Sequence, residues 1–593
     1  MKCQLVNENF KEDYIDSLLR ARGVAEPMTI KSPTRDALLD PILLSNMKEG
    51  ADLYIDKISN GKRIVICVDC DNDGFTSAAI IHQFSLLLNP HIEIIYLLHE
   101  HKQHGLEDHV RALLSMDEKV DLIILPDSST NDYEYHEQLK EVAPCLVLDH
   151  HELEENVPIS SNAIIINNQI SPDYPNKELT GAGVVWQFCR YVSDVLEKSC
   201  DEYIDAEQFI DLAAWGIIGD MGSVLEPENA YIISKGLKNI KNKFFKNLLE
   251  KQSYSIVGNT CALKEMVGKI TPISVAFYIV PLTNATIRVG SLAEKTRLYE
   301  AYIDADKMVP SGKRGHKGEL DTVGNEAARE CTNNKAHQNK AKEEAVEKME
   351  MRISKYDLLE NKVLFIRLED DDNFPAELNG LIAMQLADRY KHPTIVARLN
   401  DEGYIRGSAR GLNQSELKDF KAFLSDSGFF EYAQGHANAF GCSIPDRSLR
   451  AFHEYANEKL KDIDLGEEIY DVNFQRKSTD SDLSELIKEI CKYNNIWGQQ
   501  NNEPLISVTS IKINPAEARI MGKLSDTVKI EKNGIAYMWF KASDFIEELK
   551  SFGQEDVTIE VVGRANLNTW MGNVTPQIFV TAYNIKKAPK YEF

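Results

Sequence analysis

Residues 63–74, RIVICVDCDNDG, are the most informative stretch of this chain for its architecture. RIVICV is an almost unbroken apolar run of strand length, and three aspartates and a glycine follow it within six residues. An apolar segment of helical length, residues 77–88, comes next. A buried strand that ends in acids and leads into a helix is typical of a parallel sheet, in which ligands bind beyond the carboxyl ends of the strands.

The chain downstream repeats this alternation of strand and helix. Apolar runs of strand length follow at residues 92–98, 120–125, 145–148 and 163–166. Strands that alternate with helices predict βαβ units and a mainly parallel sheet that is covered on both faces. We expect residues 181–240 to be helical.

The other parts of the chain have different patterns. Short helices are predicted before residue 60, a polar, turn-rich loop at 311–335, and a charged connecting helix at 336–356. Short strands separated by turns begin near residue 466 and predict a small barrel or sandwich. The predicted segments are an N-terminal helical segment (1–60), a first α/β domain (61–305), a loop and connector helix (306–360), a second α/β domain (361–465) and a C-terminal β domain (466–593).

Composition limits the class of protein. The chain has 593 residues, 43% of them hydrophobic, with a formal net charge of -25 and a pI near 5.1. These values are typical of a globular protein with several cores. The acidity excludes a protein that coats nucleic acid through bulk positive charge, but not an enzyme with a local basic groove. It is also uneven, because residues 117–157 hold 12 acidic and 2 basic residues, whereas residues 307–362 hold 10 and 12.

The cysteines and the N-terminus indicate an intracellular protein. Ten cysteines are too few for a disulfide scaffold. Cys67 and Cys70 form a CxxC pair without a second pair at zinc-ribbon spacing, so we expect reduced, partly buried thiols. The N-terminus lacks the apolar segment of a signal peptide, and the longest apolar runs are too short to cross a membrane. We therefore expect a cytoplasmic protein.

Acidic side chains and a histidine pair follow the predicted strands and one helix. They are Asp69, Asp71 and Asp73 after RIVIC, Asp127 after VDLIIL, Asp149, His150 and His151 after CLVL, and Asp220 after an apolar helix. Crowded carboxylates repel one another, and a divalent cation supplies the counter-charge that keeps them ionised. Carboxylates with one or two imidazoles suit Mn²⁺ or Mg²⁺, and two such ions would activate a water and hold phosphoryl oxygens.

Each motif alone has a simpler interpretation. DxDxDG could be a calcium loop, but loop position 12 would then be Ile80 instead of a glutamate. An acid after a strand is often a helix N-cap, and a His-His pair is often a structural feature. Four such motifs in order, each at the end of a strand or helix, favour a metal centre.

The order DxDxDG, isolated Asp, DHH and further Asp resembles the DHH phosphoesterase superfamily. The resemblance implies a phosphodiesterase site with two divalent metal ions, Mn²⁺ preferred and Mg²⁺ as the alternative. The implied metal ligands are Asp69, Asp71, Asp73, Asp127, Asp149, His150 and Asp220. The implied catalytic residues are Asp149, His150 and His151, together with His436 of the motif described next.

Motifs in the second half of the chain resemble the RecJ-type branch of this superfamily. GHANAFG (435–441) resembles the glycine-rich motif of the DHH-associated domain, with phenylalanine where the family has alanine. RGSARG (406–411), PLTNATIRVG (281–290) and LTGAGVVWQF (179–188) are similar to further RecJ segments. The residues that the resemblance implies for substrate binding are Arg288, Ser408, Arg410, Gly435, His436 and Asn438.

One segment departs from the family pattern. The family has an arginine in a pocket for the 5′ phosphate of the strand. Here residues 97–108, LLHEHKQHGLED, offer His99, His101, Lys102 and His104 instead. The resemblance therefore does not carry a 5′-phosphate pocket over to this segment.

The C-terminal strands resemble the oligonucleotide-binding (OB) barrel of the RecJ-type proteins. Such barrels stack bases on aromatic side chains and follow phosphates with cations. Tyr537, Trp539, Phe540 and Trp570 are the candidate stacking residues, with Tyr537 and Trp539 on one face of their strand and Phe540 on the other. Because side chains alternate along a strand, about half of such aromatics belong to the core.

The resemblance implies a 5′→3′ exonuclease that degrades single-stranded DNA to 5′-mononucleotides in repair or recombination. The implied fold is α/β, with a DHH parallel-sheet domain and a DHH-associated domain joined by a long helix, and a C-terminal OB-type barrel. Expected partners are single-stranded DNA, a single-strand-binding protein and a helicase, with no membrane and a monomeric state.

Two alternative functions stay open. One is a DHH phosphodiesterase for short oligonucleotides or cyclic dinucleotides, which the N-terminal helices and the barrel disfavour. The other is a catalytically silent DHH-like scaffold or binding protein, which the intact ligand set disfavours.

Overall fold

The computed structural model describes residues 1–101, 103–154, 156–200, 204–316, 318–369, 372, 374–570 and 573–588. It divides the chain into two compact units. Unit 1 consists of Met1–Ala25, Gln338–Asn494 and Glu503–Phe593, and unit 2 of Glu26–His337 and Asn495–Asn502. The predicted boundaries of five segments stay predictions.

The strands are numbered in chain order as β1 (Lys2–Leu5), β2 (Arg63–Val68), β3 (Glu93–Leu98), β4 (Leu122–Pro126), β5 (Cys145–Asp149), β6 (Ala163–Asn167), β7 (Met308–Pro310), β8 (Leu320–Thr322), β9 (Leu364–Leu368), β10 (Thr394–Leu399), β11 (Tyr404–Arg410), β12 (Tyr432–His436), β13 (Ala439–Pro445), β14 (Ile469–Val472), β15 (Phe474–Lys477), β16 (Leu505–Ile513), β17 (Arg519–Met521), β18 (Thr527–Lys532), β19 (Ile535–Trp539), β20 (Val557–Trp570) and β21 (Asn573–Lys587).

The α-helices are α1 (Tyr14–Ala21), α2 (Met28–Lys31), α3 (Met47–Asn60), α4 (Asn72–Leu88), α5 (Val110–Leu114), α6 (Tyr133–Gln138), α7 (Gly181–Cys200), α8 (Ile210–Gly219), α9 (Pro227–Lys238), α10 (Lys243–Lys251), α11 (Ser253–Val257), α12 (Leu263–Met266), α13 (Pro272–Tyr278), α14 (Val280–Val289), α15 (Leu292–Ile303), α16 (Val323–Lys355), α17 (Asn379–Tyr390), α18 (Phe420–Asp426), α19 (Leu449–Lys459), α20 (Leu483–Lys492) and α21 (Ser543–Ser551).

Unit 2 contains the predicted parallel sheet. Its strand order is β3-β2-β4-β5-β6, and every neighbouring pair is parallel. Alternate residues of β2 belong to different cores, Ile64 and Ile66 to one and Val65 and Cys67 to the other. Because both faces are covered, the strand reads as a continuous apolar run. The α/β fold with a parallel sheet is confirmed.

Unit 1 contains two larger sheets. The first has the order β12-β13-β11-β10-β9, in which β9 and β10 are parallel and the other pairs antiparallel. Cores lie on both of its faces. The second is a seven-stranded sheet with the order β15-β16-β20-β21-β19-β18-β17, built from residues in the predicted C-terminal β domain.

The N-terminus differs from the prediction of helices alone. Its first residues form β1, which pairs in parallel with β14 more than 450 positions later in sequence. Met1, Cys3 and Leu5 pack against a small core. Four residues are too few to show a strand period, so this pairing is set by a distant part of the chain.

The prediction of a loop over residues 311–335 is wrong in its second half. A hairpin of β7 and β8 leads directly into α16, which begins at Val323. Val323, Ala327, Ala328 and Cys331 are buried at helical spacing in the large core of unit 2. Because polar side chains lie between these four residues, the helical spacing of the narrow apolar face was missed in the sequence.

One stretch, Pro272–Val289, is apolar and long enough to meet the length and composition of a membrane span, and 56% of it is buried inside the protein. It is divided into α13 and α14. Val275, Ile279, Leu282 and Ile287 belong to the large core of unit 2. We therefore interpret this stretch as core helices.

Candidate active site

The predicted metal ligands come together at one edge of the sheet in unit 2. Strands β2, β4 and β5 are adjacent, so their carboxyl ends lie side by side. Their acids and the neighbouring side chains form three overlapping groups, each with ligand atoms within 4.8 Å of one another. The groups are Asp69, Asp71 and Asp127; Asp73, His150 and Asp220; and Asp127, Asp149, His150 and His151.

Asp73 lies in the first turn of α4 and is fully buried. Its Oδ1 accepts hydrogen bonds from Thr180 Oγ1 at 3.1 Å and from Ala182 N at 3.2 Å. Burial and the charge of Asp71 raise the pKa of Asp73 to about 7. Its Oδ2 has no N–H or hydroxyl donor among the described residues. A buried oxygen without a donor is costly unless a cation binds it.

Asp127 follows β4 with a left-handed backbone, φ 66°. The residue is 1% exposed, and burial together with the charges of Asp73 and Asp71 raises its pKa well above the usual value. A Cβ on Gly181 would overlap Asp127 Oδ1, so only glycine fits at the start of α7. Within the described part of the chain, no donor reaches this Oδ1 in hydrogen-bonding geometry.

Asp149 is buried at the end of β5 and is held by several donors. Its Oδ1 is 2.7 Å from His151 Nδ1, and its Oδ2 accepts a hydrogen bond from Thr130 N at 3.0 Å. Burial alone would raise the pKa of Asp149, but these contacts and the charge of His150 lower it. The same contact with Asp149 outweighs burial at His151 and raises the pKa of His151 to about 9.

His150 and Asp220 complete the cluster. His150 Nε2 lies 3.2 Å from Asp127 Oδ1 and 3.4 Å from Asp220 Oδ2. Burial and the neighbouring His151 lower the pKa of His150 to about 4. Asp220 caps the C-terminus of α8, and burial and the charge of Asp73 raise its pKa to about 8.

Asp71 and Asp69 have additional contacts. Asp71 is the N-cap of α4 and accepts a hydrogen bond from Gly74 N at 3.0 Å, so the simpler N-cap interpretation is correct alongside its place in the cluster. Asp69 is 1% exposed, and its Oδ2 is 2.6 Å from His104 Nδ1. Burial raises the pKa of Asp69, and His104 counters part of this rise.

These observations fit a divalent metal centre. Four aspartates of the cluster, Asp69, Asp73, Asp127 and Asp220, have raised pKa values. If all the carboxylates were ionised, they would repel one another without a counter-charge. Two of their buried oxygens, on Asp73 and Asp127, accept no hydrogen bond from the described parts of the chain. Carboxylate oxygens with an imidazole are the donor set that Mn²⁺ and Mg²⁺ prefer. The ligand set predicted from the sequence is therefore compatible with the geometry.

Three predicted substrate residues share one face of the five-stranded sheet in unit 1. Arg410 of β11 is opposite Ala439, which is opposite His436 of β12. Ser408 lies two residues along β11 and therefore on the same face. His436 is exposed, and Ser408 and Arg410 are half-buried. Arg406, Tyr432 and Gln434 also lie on this face and were not predicted.

Other predicted substrate residues have different surroundings. Arg288 is half-buried in the last turn of α14, and Thr283 of this helix donates to Asn72 Oδ1 at 2.9 Å, beside Asp71 and Asp73. Gly435 has φ 131°, a backbone conformation that favours glycine.

The side chain of Asn438 holds its own loop. Its Nδ2 donates to Asn413 Oδ1 and to Lys418 O, and its Oδ1 accepts from Phe420 N. An amide with these three contacts supports the local fold, and its prediction as a substrate contact is untested.

Two of the predicted stacking residues do not fit that role. Tyr537 is 0% and Trp539 4% exposed, and Trp539 stacks on Phe545 at 4.4 Å. Side chains without exposed surface cannot stack on a base, so these two predictions are wrong. The sequence left open which of the two strand faces is exposed. The side chain of Trp570 lies outside the described part of the structure.

The outward aromatic pair is Phe540 and Phe579. Phe540 is 54% exposed, and the two rings meet edge to face at 5.1 Å. Across the sheet, Phe579 of β21 lies opposite Arg564 of β20. On its other side, the same row of residues continues through Met538 of β19 and Lys529 of β18 to Arg519 of β17. Aromatic rings flanked by cations fit a single-strand surface.

The segment with histidines in place of the family arginine lies beside the metal cluster. His104 contacts Asp69, whereas His99 is 4% exposed and its ring lies 4.2 Å from that of His109. Buried Lys295 donates to the carbonyls of His99 and Glu100, at 3.1 and 2.8 Å. Lys102 is outside the described residues. The segment is thus tied to unit 2 at both Asp69 and Lys295.

Residues that hold the ligands were not predicted individually. Thr180, Gly181 and Ala182 lie in LTGAG, which the sequence identified as a family-like segment without assigning a role. Their contacts with Asp73 and Asp127 supply that role. No sequence signal pointed to the contact of Thr130 with Asp149.

Comparisons with known proteins agree with this geometry. The model of the DHH family, N-terminal domain, matches residues 63–217, and the model of the RecJ OB domain matches residues 477–582. The fold and site thus define a DHH-superfamily protein with an OB domain. A prophage protein of Bacillus subtilis (strain 168), provisionally named a single-strand DNA-specific exonuclease, is 33% identical over 100% of both chains.

The chain belongs to the RecJ-type family within the DHH superfamily. The single-stranded-DNA-specific exonuclease RecJ of Bacillus subtilis is 23% identical, over 95% of this chain and 67% of its own length. The crystal structure of Thermus thermophilus RecJ with Mn²⁺ matches with a TM-score of 0.66 at 18% identity, covering 100% of this chain and 80% of that chain. The predicted family and fold class are confirmed.

Proposed function

We propose that this protein is a metal-dependent exonuclease that degrades single-stranded DNA from the 5′ end and releases 5′-mononucleotides. The observation that carries the proposal is the convergence of acids from three strand ends, with buried oxygens on Asp73 and Asp127 that accept no hydrogen bond from the described residues. The names of the relatives supply the substrate, since they are single-strand DNA-specific exonucleases. The 5′→3′ polarity rests on the family resemblance.

The residues that would hold two divalent ions are Asp69, Asp71, Asp73, Asp127, Asp149, His150 and Asp220. When bound, such ions supply a hydroxide near neutral pH and neutralise charge on the scissile phosphate. Mn²⁺ and Mg²⁺ are the candidate ions, since both occur in crystal structures of Thermus thermophilus RecJ, and the preference for Mn²⁺ rests on the family resemblance.

The protein side chains orient this centre. Thr180 and Ala182 fix one oxygen of Asp73 and leave the other available. Thr130 fixes Asp149, which in turn orients His151. His151 is half-exposed, so it can donate a hydrogen bond to a phosphate oxygen of the substrate. Donors fixed in advance stabilise charge that develops in the transition state.

The remaining chain would bind the strand. Ser408, Arg410 and His436 present hydroxyl, guanidinium and imidazole donors on one sheet face, suited to a phosphate. Arg288 would add a cation in unit 2. Phe540 and Phe579 would stack bases on the OB domain. We propose further that the protein is a cytoplasmic monomer that acts in repair or recombination beside a single-strand-binding protein and a helicase.

The direct test is degradation of 5′-labelled and 3′-labelled single strands, duplexes and dinucleotides in Mn²⁺. We expect release of labelled mononucleotide first from the 5′ end of single strands, and no degradation by Asp149→Ala. Equal activity of Asp149→Ala and wild type would contradict the proposal. Activity restricted to dinucleotides would instead identify a short-oligonucleotide phosphodiesterase.

Metal binding is tested separately from activity. Because the ions would bind the folded state, Mn²⁺ should raise the melting temperature of the wild-type protein, and EDTA should reverse the rise. Asp73→Asn should reduce this shift while leaving a folded protein. A melting temperature that does not respond to Mn²⁺ would rule out the proposed centre.

A further inference from the structure

A basic hairpin projects from unit 2 at residues 308–322. β7 and β8 pair antiparallel, with Met308 opposite Thr322 and Pro310 opposite Leu320. The connecting residues 311–319 read SGKRGHKGE. The family resemblance assigned no counterpart to this segment, and the proposed reaction does not use it.

The base of the loop is fixed to the protein. Glu326 of α16 is 2% exposed and accepts hydrogen bonds from Ser311 Oγ at 3.0 Å and from Gly312 N at 3.1 Å. Arg329 pairs with the same carboxylate. Burial would raise the pKa of Glu326, but these three contacts lower it, so the carboxylate is a charged anchor. These contacts hold Ser311 and Gly312, at the base of the loop, against α16.

The tip carries cations without carboxylate partners. Lys313 and Arg314 are exposed, and neither has an ion pair within the described parts of the chain. The nearby Lys307, in contrast, pairs with Glu300 at 2.7 Å, and His316 with Glu319 at 2.8 Å. In a chain with a net charge of -25, two adjacent unpaired cations on a projecting turn form a local site for a polyanion.

We propose that this hairpin binds the phosphate backbone of a nucleic-acid duplex that adjoins the single-stranded substrate. The proposal rests on the proposed function, because that function brings such junctions to the protein. A two-stranded β-ribbon fits the major groove of a duplex, and Lys and Arg on its tip reach phosphates.

The composition of the hairpin favours a duplex over the single strand. Surfaces for single strands combine cations with aromatic rings that stack on bases. Residues 307–322 contain no phenylalanine, tyrosine or tryptophan. Cations without stacking residues suit a nucleic acid whose bases are already paired. The outward aromatic pair of Phe540 and Phe579 is, by contrast, a single-strand surface.

The test compares two labelled probes in EDTA, so that they are bound but not degraded. One is a duplex with a 5′ single-stranded overhang, and the other is the overhang strand alone. We expect K313A/R314A to bind the overhang duplex about tenfold more weakly, with the slope of log affinity against log salt shallower by about 2. Its affinity for the single strand should change less than twofold.

The control is K48A/K57A, which removes two lysines of unit 2 that already pair with Asp52 and Asp56. It should match wild type on both probes. Unchanged overhang-duplex affinity and salt slope in K313A/R314A would overturn the proposal, as would an equal loss on both probes. Binding of labelled polyglutamate that requires Lys313 and Arg314, with unchanged DNA affinity, would identify an acidic protein as the partner instead. None of these outcomes depends on strand degradation.

Discussion

At the scale of single residues, the metal cluster depends on two glycines that offer no ligand. A Cβ on Gly181 would overlap Asp127 Oδ1, and a Cβ on Gly216 would overlap Asp73 Oδ1. Both carboxylates are buried. The backbone of α7 lies directly against Asp127 and that of α8 against Asp73, with no room for a side chain between them. The position of each ligand is therefore set by the close approach of a helix.

Gly181→Ala should disable catalysis while leaving the protein folded. The added methyl group has to displace Asp127, and a shift of about 1 Å in a reacting group can cost about 100-fold in rate. Single-turnover degradation of a labelled strand in Mn²⁺ measures this loss. Glu197→Ala, at an exposed position of the same helix, serves as control. Equal rates for the two variants would contradict the packing argument.

Thr180→Val should weaken metal binding. Valine keeps the shape of the side chain but removes the hydrogen bond to Asp73 Oδ1. Loss of a group that orients a ligand typically lowers metal affinity 10- to 100-fold, so we expect an Mn²⁺ titration to shift by about tenfold. The control is Thr296→Val, which removes an exposed hydrogen bond from Thr296 Oγ1 to the carbonyl of Leu292. It should leave the Mn²⁺ titration unchanged.

The ligands could be predicted from the sequence, and their supports could not. Each predicted acid lies at or next to the end of a strand or helix, and the parallel sheet brings those ends together, so local pattern and topology suffice. Thr130 contacts Asp149 through a backbone N–H, which any residue type could supply. No residue identity marks such a contact in a single sequence.

At the scale of elements, strand alternation predicted that some barrel aromatics would be buried, but not which face. In β19, Tyr537 and Trp539 point into the core. Which face is covered is set by α21, whose Phe545 stacks on Trp539. Phe579 escaped prediction because it belongs to a different strand and meets Phe540 only in the folded sheet.

Phe579→Ala should weaken binding of single strands. A base stacked on an aromatic ring contributes about 1–3 kcal/mol, so the dissociation constant for a long labelled strand should rise roughly tenfold. Anisotropy in EDTA gives this value. Tyr537→Phe removes a buried hydroxyl on the opposite face and should leave affinity at the wild-type level. A larger effect of Tyr537→Phe than of Phe579→Ala would reverse the assignment of the binding face.

At the scale of the whole molecule, unit 1 is assembled from three separate stretches of sequence. Met1–Ala25 joins two stretches that begin at residues 338 and 503. Arg476, which is 1% exposed, bonds both Asn9 Oδ1 and Phe10 O. The fold class could be predicted because each domain has its own hydrophobic periodicity in the sequence. The contact of the N-terminal residues with segments more than 450 positions away has no local sequence signal.

Leu5→Asp should loosen unit 1. The side chain packs against the core formed with Tyr470 and Val472, and a carboxylate there would be partly desolvated. We expect faster hydrogen exchange in β14 with unchanged protection in β4 of unit 2. In the Val6→Asp variant, whose substituted position is 50% exposed, hydrogen exchange in β14 should be as slow as in the wild-type protein. Uniform loss of protection in both units would contradict a local role for β1.

The pairing of β1 with β14 also has a consequence for folding during synthesis, because the two strands lie far apart in the sequence. The parallel sheet of unit 2 ends at residue 167, so its strands can meet early on the ribosome. β1 cannot pair until residues 469–472 have been made, and Met1 O accepts a hydrogen bond from Asn584, which is made later still. A nascent chain therefore carries β1 without its partner strand while more than 460 further residues are synthesised.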